Sequence, residues 1–264
     1  MASRLIRLQK FCERVYHPLR KKYLPFLPSS PLASLPFGKQ LFRMKTNLIS
    51  SSFDPVIQEE LKWYNKMHYV LKDSQESIDV AHVCKFILER ENVEGDILEL
   101  GVEFAGFSVV IADFLKRIGS KKHLYGCDTF EGFPYDDLQG GELAQQNKMG
   151  TSMGLDYESA IKKIRDFNSE NKVTLLKGMF EETLYQKLGD KKFSVVFMDC
   201  NLYQSTKFAL EFSYPRVSQG GVIAFDEYEE GKDKPYFGET IATNEFCDKY
   251  GTTVTLVPIP HIKK

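Results

Sequence analysis

No stretch of about 18 consecutive apolar residues occurs in the chain, so no helix built to cross a bilayer is expected. Cysteine is sparse and unpatterned. The five (Cys12, Cys84, Cys127, Cys200 and Cys247) are odd in number, scattered, and form no CxxC pair. That argues against a disulfide framework and a structural zinc site, and for a reducing, cytoplasmic setting. Internal repeats are absent, and so is the GxGxxG fingerprint of dinucleotide-binding folds. What remains is a chain of 264 residues, 42% hydrophobic and 27% charged, which fits one α/β domain with an N-terminal extension.

The net charge of −1 hides an asymmetry. Residues 1–50 hold ten Lys and Arg against the single acid Glu13, a balance of +9, and residues 51–264 carry −10. A basic arm on an acidic body calls for an anionic partner or for docking onto the body itself. Within the arm, Leu5, Leu8, Cys12, Val15, Tyr16 and Leu19 recur at helical spacing, with Arg4, Arg7, Lys10 and Arg14 on the remaining face and Pro18 as the stop. The mixed apolar face favours a packing or partner helix. A membrane-surface helix or an Arg-rich transit segment stays open, as does a homo-oligomer. Residues 24–38 are a Pro- and Ser-rich linker. The acidic body offers no basic channel, so nucleic acid is not indicated as a partner.

The expected organisation is therefore an arm and linker over 1–50, a helical cap over 51–95 and an α/β core over 96–264. Helical patterns run across 56–72 and 75–91. Strands are then expected near 96–100, 123–127, 172–176, 193–199, 221–226 and 253–258, with helices near 106–118, 156–167, 181–188, 204–213 and 239–249. Strand cores such as DILEL, FSVVFM and GVIAF are nearly continuous apolar runs, as strands covered on both faces require. The predicted fold is a three-layer αβα, Rossmann-like parallel sheet.

Such sheets bind ligands outside the carboxyl ends of their strands. The first strand delivers Glu99, Gly101, Val102, Gly106 and Ser108, with the two glycines spaced G-x(4)-G. Gly101 permits a tight turn and close approach of a ligand, and Gly106 lets the helix pack near the strand. The spacing departs from the dinucleotide pattern, and a ligand without a pyrophosphate, such as a methyl donor, has less need for a run of exposed N–H groups. Glu99 could accept from that donor's ammonium group, or could be a solvated strand-end acid. The second strand ends in Asp128, placed to accept from ribose hydroxyls, followed by Phe130, which lies against an adenine ring or serves the core. The fourth strand ends in Asp199 and Asn201, the fifth in Asp226 and Glu227. Carboxylates crowded on neighbouring strand ends need a cation or protons, and an all-oxygen set suits Mg²⁺, Ca²⁺ or Mn²⁺. Their alternative is a row of solvated strand-end acids.

The segments ELGVEFAGFS, CDTFEGFP, KGMFEETL, MDCNLYQST and GGVIAFDEY, in that order, resemble the macrocin O-methyltransferase (TylF-type) family from about Ile78 to Tyr250. The resemblance implies a class I methyltransferase fold with S-adenosyl-L-methionine as donor and Mg²⁺-dependent methylation of a hydroxyl on a small molecule, often a natural-product sugar. It maps the metal ligands onto Asp199, Asp226 and Glu227. Asn201 stands where the family has a second aspartate, and Glu227 where it has the second acid of an Asp-Asp pair. Only His261 to Lys264 remain to form the family's last antiparallel strand, which is expected to be short or missing. Asp199 is the expected catalytic proton acceptor, ahead of His68 and His261. Long stretches at 129–155 and 227–238, with Tyr135, Asp136, Asp137, Tyr236 and Phe237, would cover an acceptor. Trp63, Tyr64, His68 and Tyr69 would form another wall or a core stripe. Two rivals stand beside this reading: a non-catalytic S-adenosylmethionine-binding module, and a nicotinamide-dependent oxidoreductase.

Overall fold

The apolar runs become the centre of one six-stranded sheet. In the computed structural model the described residues are 77–133, 156–228 and 237–264. In chain order they form α1 (Ser77–Glu89), β1 (Asp96–Leu100), α2 (Gly106–Arg117), β2 (Leu124–Asp128), α3 (Tyr157–Asp166), β3 (Val173–Lys177) and α4 (Phe180–Leu188). Then come β4 (Phe193–Met198), α5 (Tyr203–Ser213), a 3₁₀ turn at Tyr214–Arg216, β5 (Val217–Phe225), α6 (Phe237–Tyr250) and β6 (His261–Lys263). The expected arm, linker, 56–72 helix and boundary at residue 50 lie outside the described residues.

The strand order is β3-β2-β1-β4-β5-β6, with β1 to β5 parallel and β6 antiparallel to β5. Chain direction across the sheet reverses between β1 and β4, the place where such sheets open a crevice. Side chains alternate as a two-residue period demands. Ile97, Leu124, Val195, Phe197, Val222 and Ala224 pack on one face with α1, α2 and α3. Leu98, Leu100, Val196, Met198, Ile223 and Phe225 pack on the other with α4, α5 and α6. Phe107 of α2 stacks on Phe197 with ring centroids 4.4 Å apart, fixing that helix against the strand next to β1.

One expected strand is corrected. Residues 253–258 form no regular strand; Thr255 alone bridges, to His261, exchanging N–H···O bonds of 2.8 and 2.9 Å. Pro258 and Pro260 have no N–H to give a ladder, which breaks the run. The chain turns there and returns as β6, whose three residues pair Val222 with Lys263, Ile223 with Ile262 and Ala224 with His261. The short antiparallel last strand is thus present. No helix of the described residues is long and apolar enough to cross a membrane. Among the described residues, Cys84, Cys127, Cys200 and Cys247 form no disulfide.

Candidate active site

Left-handed backbone collects at the carboxyl edge of the sheet. After β1 come Gly101 (φ 96°), Glu103 (φ 50°) and Ala105 (φ 57°); after β2, Phe130 (φ 55°); after β4, Asn201 (φ 59°). Non-glycine residues held in this region cost about 1–3 kcal/mol each, and they gather where surrounding structure and function over-determine them. At Gly101 the requirement is steric. A Cβ there would lie 1.9 Å from the Asp199 carbonyl oxygen, so the glycine admits the backbone that follows β4. The Asp199 N–H donates to the Leu100 carbonyl at 2.8 Å, and the Gly101 N–H to that of Cys127 at 3.0 Å. Three strand ends are therefore stitched together beside the crevice.

The loop after β1 is organised by the end of β2. Asp128 Oδ2 accepts the backbone N–H of Val102 at 2.7 Å and of Glu103 at 3.0 Å, and Oδ1 accepts that of Phe130 at 2.8 Å. The carboxylate stays half-buried at the edge. Glu99 is buried, which removes the solvated strand-end alternative, and Ser108 Oγ of α2 donates to its Oε2 at 2.5 Å. Val102 and Gly106 are buried along the same turn. The ring of Phe130 lies in the core, edge-on to Tyr157 at 5.2 Å, so its packing role is observed directly.

The second half of the site is acidic. Met198 and Phe225 are register partners, so Asp199 and Asp226 follow neighbouring strand ends, with Asp226 N–H donating to the Met198 carbonyl at 3.0 Å. Loss of water first, then Asp226, Glu227, Glu239 and Glu99, push the Asp199 carboxyl well above the usual carboxylate range. Glu239, in the first turn of α6, was not anticipated. It is fully buried; burial, then Asp226 and Glu227, push its carboxyl up as well. Its Oε1 accepts the Glu227 N–H at 3.1 Å, while Oε2 finds no hydrogen-bond partner. The available signal was its place on the stripe Glu239, Thr240, Thr243, Phe246 and Cys247, all buried at helical spacing.

Other candidates fall elsewhere. His261 is buried against Phe86, ring centroids 5.0 Å apart, with Nδ1 2.8 Å from the Ile259 carbonyl, which is a packing role. Tyr203 accepts from Lys207 and donates to Glu245 along the exposed α5–α6 seam. His68, Trp63, Tyr64, Tyr69, Tyr135, Asp136, Asp137 and Tyr236 lie outside the described residues, and Phe237 opens α6. Among the described residues, no group of three His, Cys, Asp or Glu side chains stands in metal-ligating geometry.

Comparison with known proteins bears on the family and the fold. The family profile described as Macrocin-O-methyltransferase (TylF) matches residues 71–253. A curated relative from Streptomyces olivaceus, the 8-demethyl-8-(2,3-dimethoxy-alpha-L-rhamnosyl)-tetracenomycin-C 4'-O-methyltransferase, is 27% identical over 57% of this chain and 59% of its own length. The demethyldecarbamoylnovobiocin O-methyltransferase of Streptomyces niveus is 28% identical over 52% of this chain and 54% of its own. The chain thus spans a little over half the length of these curated relatives. Among solved structures, the O-methyltransferase NovP superposes with a TM-score of 0.61 at 21% identity, covering 72% of this chain and 81% of that one, which speaks for the fold.

Proposed function

The chain belongs to the macrocin O-methyltransferase (TylF) family, and from that premise we propose that it methylates a hydroxyl of a small molecule, using S-adenosylmethionine. The observation that carries the proposal is the meeting, at the β1/β4 switch point, of a pre-organised loop and an acid cluster joined through Gly101 and Asp199. Glu99, steadied by Ser108, is suited to the donor's ammonium group. Asp128 holds the 102–103 loop in shape and keeps an exposed edge for ribose hydroxyls. Gly101, Val102 and Gly106 let backbone come close to the nucleoside, and Phe130 backs that wall from the core. The name of the Streptomyces olivaceus relative carries a rhamnosyl group on its acceptor, and a sugar-bearing small molecule is the acceptor class proposed here.

The acids at this edge offer only oxygen donors, the chemistry that a hard divalent cation such as Mg²⁺ prefers, although no three of the described side chains stand together in ligating geometry. Asp199, Asp226 and Glu227 would hold such an ion, which when bound lowers a hydroxyl's pKa and orients it. Asp199, at the end of β4 beside the β5 acids, takes the hydroxyl proton. As the proton leaves, the hydroxyl oxygen bonds to the methyl carbon, the carbon–sulfur bond breaks, and S-adenosylhomocysteine departs. Rigid strand ends supply the in-line alignment.

Calorimetry with S-adenosylhomocysteine, with and without Mg²⁺, on wild type and Asp226→Ala tests this reading. Wild type is expected to bind the nucleoside and to take up Mg²⁺, and the variant to lose the Mg²⁺ response while still binding. A wild-type protein that does not bind the nucleoside overturns the whole proposal.

A further inference from the structure

Among the last residues of the five parallel strands (Leu100, Asp128, Lys177, Met198 and Phe225), Lys177 is the one base. It ends β3 as the register partner of Asp128, the carboxylate that organises the loop after β1. The Gly178 N–H donates to the Asp128 carbonyl at 2.9 Å and keeps the two strand ends together. Lys177 Nζ pairs with Glu131 Oε1 at 2.9 Å, and the charge of Asp156 also acts on this ammonium.

Both acids flank the wall made by Phe130. Glu131 follows Phe130, whose left-handed backbone (φ 55°) donates its N–H to Asp128 Oδ1 at 2.8 Å. Thr129 Oγ1 accepts the Glu131 N–H at 3.2 Å and donates to the Gly132 carbonyl at 3.0 Å, which gives that turn its shape. Asp156 caps α3, accepting the N–H groups of Glu158 and Ser159 at 3.2 Å each. The next residue, Tyr157, meets Phe130 edge-on at 5.2 Å and donates its hydroxyl to the Leu175 carbonyl of β3 at 3.3 Å. The end of β3 therefore reaches the Phe130 wall from two directions, the turn after β2 and the start of α3.

We propose that Lys177 is a positioning residue of the nucleoside pocket, holding the Phe130 wall beside Asp128 through its pairing with Glu131 and Asp156. The proposal rests on the donor reading above and adds to it a residue of β3. The Lys177 and Glu131 side chains are 44% and 71% exposed, so their pair contributes little to stability and is screened by salt. Its effect falls on the shape of the pocket, and so on the affinity for the ligand.

The test titrates S-adenosylhomocysteine into the full chain by calorimetry at low and high salt, with Tm measured alongside. Lys177→Met is expected to weaken binding by about twofold to fivefold at low salt, the range an exposed pair can supply, with Tm unchanged. High salt should bring wild type towards the variant. Lys177→Arg should keep wild-type affinity, since a guanidinium can serve both acids. In a Glu131→Gln/Asp156→Asn background, which removes both charges while asparagine keeps the cap of α3, Lys177→Met should change affinity no further. Lys177→Met binding within about 1.5-fold of wild type at low salt overturns the proposal. The full loss persisting in the neutral background also overturns it, because the ammonium would then act on the ligand itself. A loss accompanied by a lowered Tm and not restored by arginine leaves a merely structural pair and overturns it as well. Wild type that binds no S-adenosylhomocysteine overturns the donor reading, a result separate from all of these.

Discussion

Replacing Gly101 by alanine perturbs both halves of the site through one carbon atom. The residue has φ +96°, and an added Cβ would lie 1.9 Å from the Asp199 carbonyl oxygen, 2.6 Å from its carbon and 3.3 Å from Cys200 N. All three are backbone atoms just beyond the β1–β4 pairing, which ends at Leu100 and Met198, so no side chain can swing aside. The left-handed conformation costs an alanine about 1–2 kcal/mol. Forcing a methyl group into packed backbone adds about 1–3 kcal/mol. Together these give about 2–5 kcal/mol, which at about 2–4 °C per kcal/mol for a domain of this size lowers Tm by about 4–20 °C. Gly119→Ala is the control, since Gly119 has φ +66° and nothing within 4 Å of its added Cβ. That variant feels the conformational cost alone, about 1–2 kcal/mol. Differential scanning calorimetry of both should show Gly101→Ala melting clearly below Gly119→Ala. S-adenosylhomocysteine affinity should fall only in the former, because only there are the 102–103 loop and Asp199 displaced. Equal melting temperatures for the two variants would refute the steric account of Gly101.

Two further outcomes are expected. Ser108→Ala removes the buried hydroxyl that donates to Glu99 Oε2, at a cost of about 1–3 kcal/mol. Urea denaturation should report that loss and calorimetry a weaker hold on S-adenosylhomocysteine; no change in either would show that the bond positions nothing. His82 is buried on α1, and burial, with Lys85 adding to it, pulls its pKa down to about 4. The unfolded chain protonates this imidazole near pH 6.5 while the folded chain resists, so its contribution is full above about 6.5 and is lost as pH falls towards 4. The loss amounts to about 3 kcal/mol. Denaturation curves from pH 7.5 to 4 should slope less for His82→Gln than for wild type; parallel slopes would remove the assignment.

Most of the sheet was legible because strands buried on both faces must be written as apolar runs. FSVVFM became β4, buried at every position, and DILEL became β1 with the expected bounds. The start of β5 was hidden. Ser218, Gln219 and Gly220 precede the apolar run and read as loop, yet the strand begins at Val217. Gly220 and Gly221 exchange bonds with Lys264 at the sheet's end, a long-range pairing that local pattern does not encode. The 253–258 segment failed in the other direction. Its β-branched residues have strand propensity, but Pro258 ends it without a donor, Pro260 follows two residues on, and only Thr255 pairs.

The site divides along the same physical line. Glu99, Asp128, Asp199, Asp226 and Glu227 were visible because the topology of a parallel sheet gathers strand ends on one edge, so a list of terminal residues is already a spatial statement. Glu239 was not, because a helix residue reaches that edge only through the packing of α6, and its acidic side chain reads as surface by default. Gly101 was found for an incomplete reason. Close approach of a ligand was expected there, and the backbone of Asp199 is what approaches. That contact changes how the site must work. The loop meant for the nucleoside and the strand end meant for the acids cannot shift independently, since each occupies the space the other would need. Anything that moves Asp199, such as removal of its charge, therefore acts on the turn between Leu100 and Val102 as well, and under the proposed function a change at Asp199 is expected to alter nucleoside affinity through the packing of one glycine.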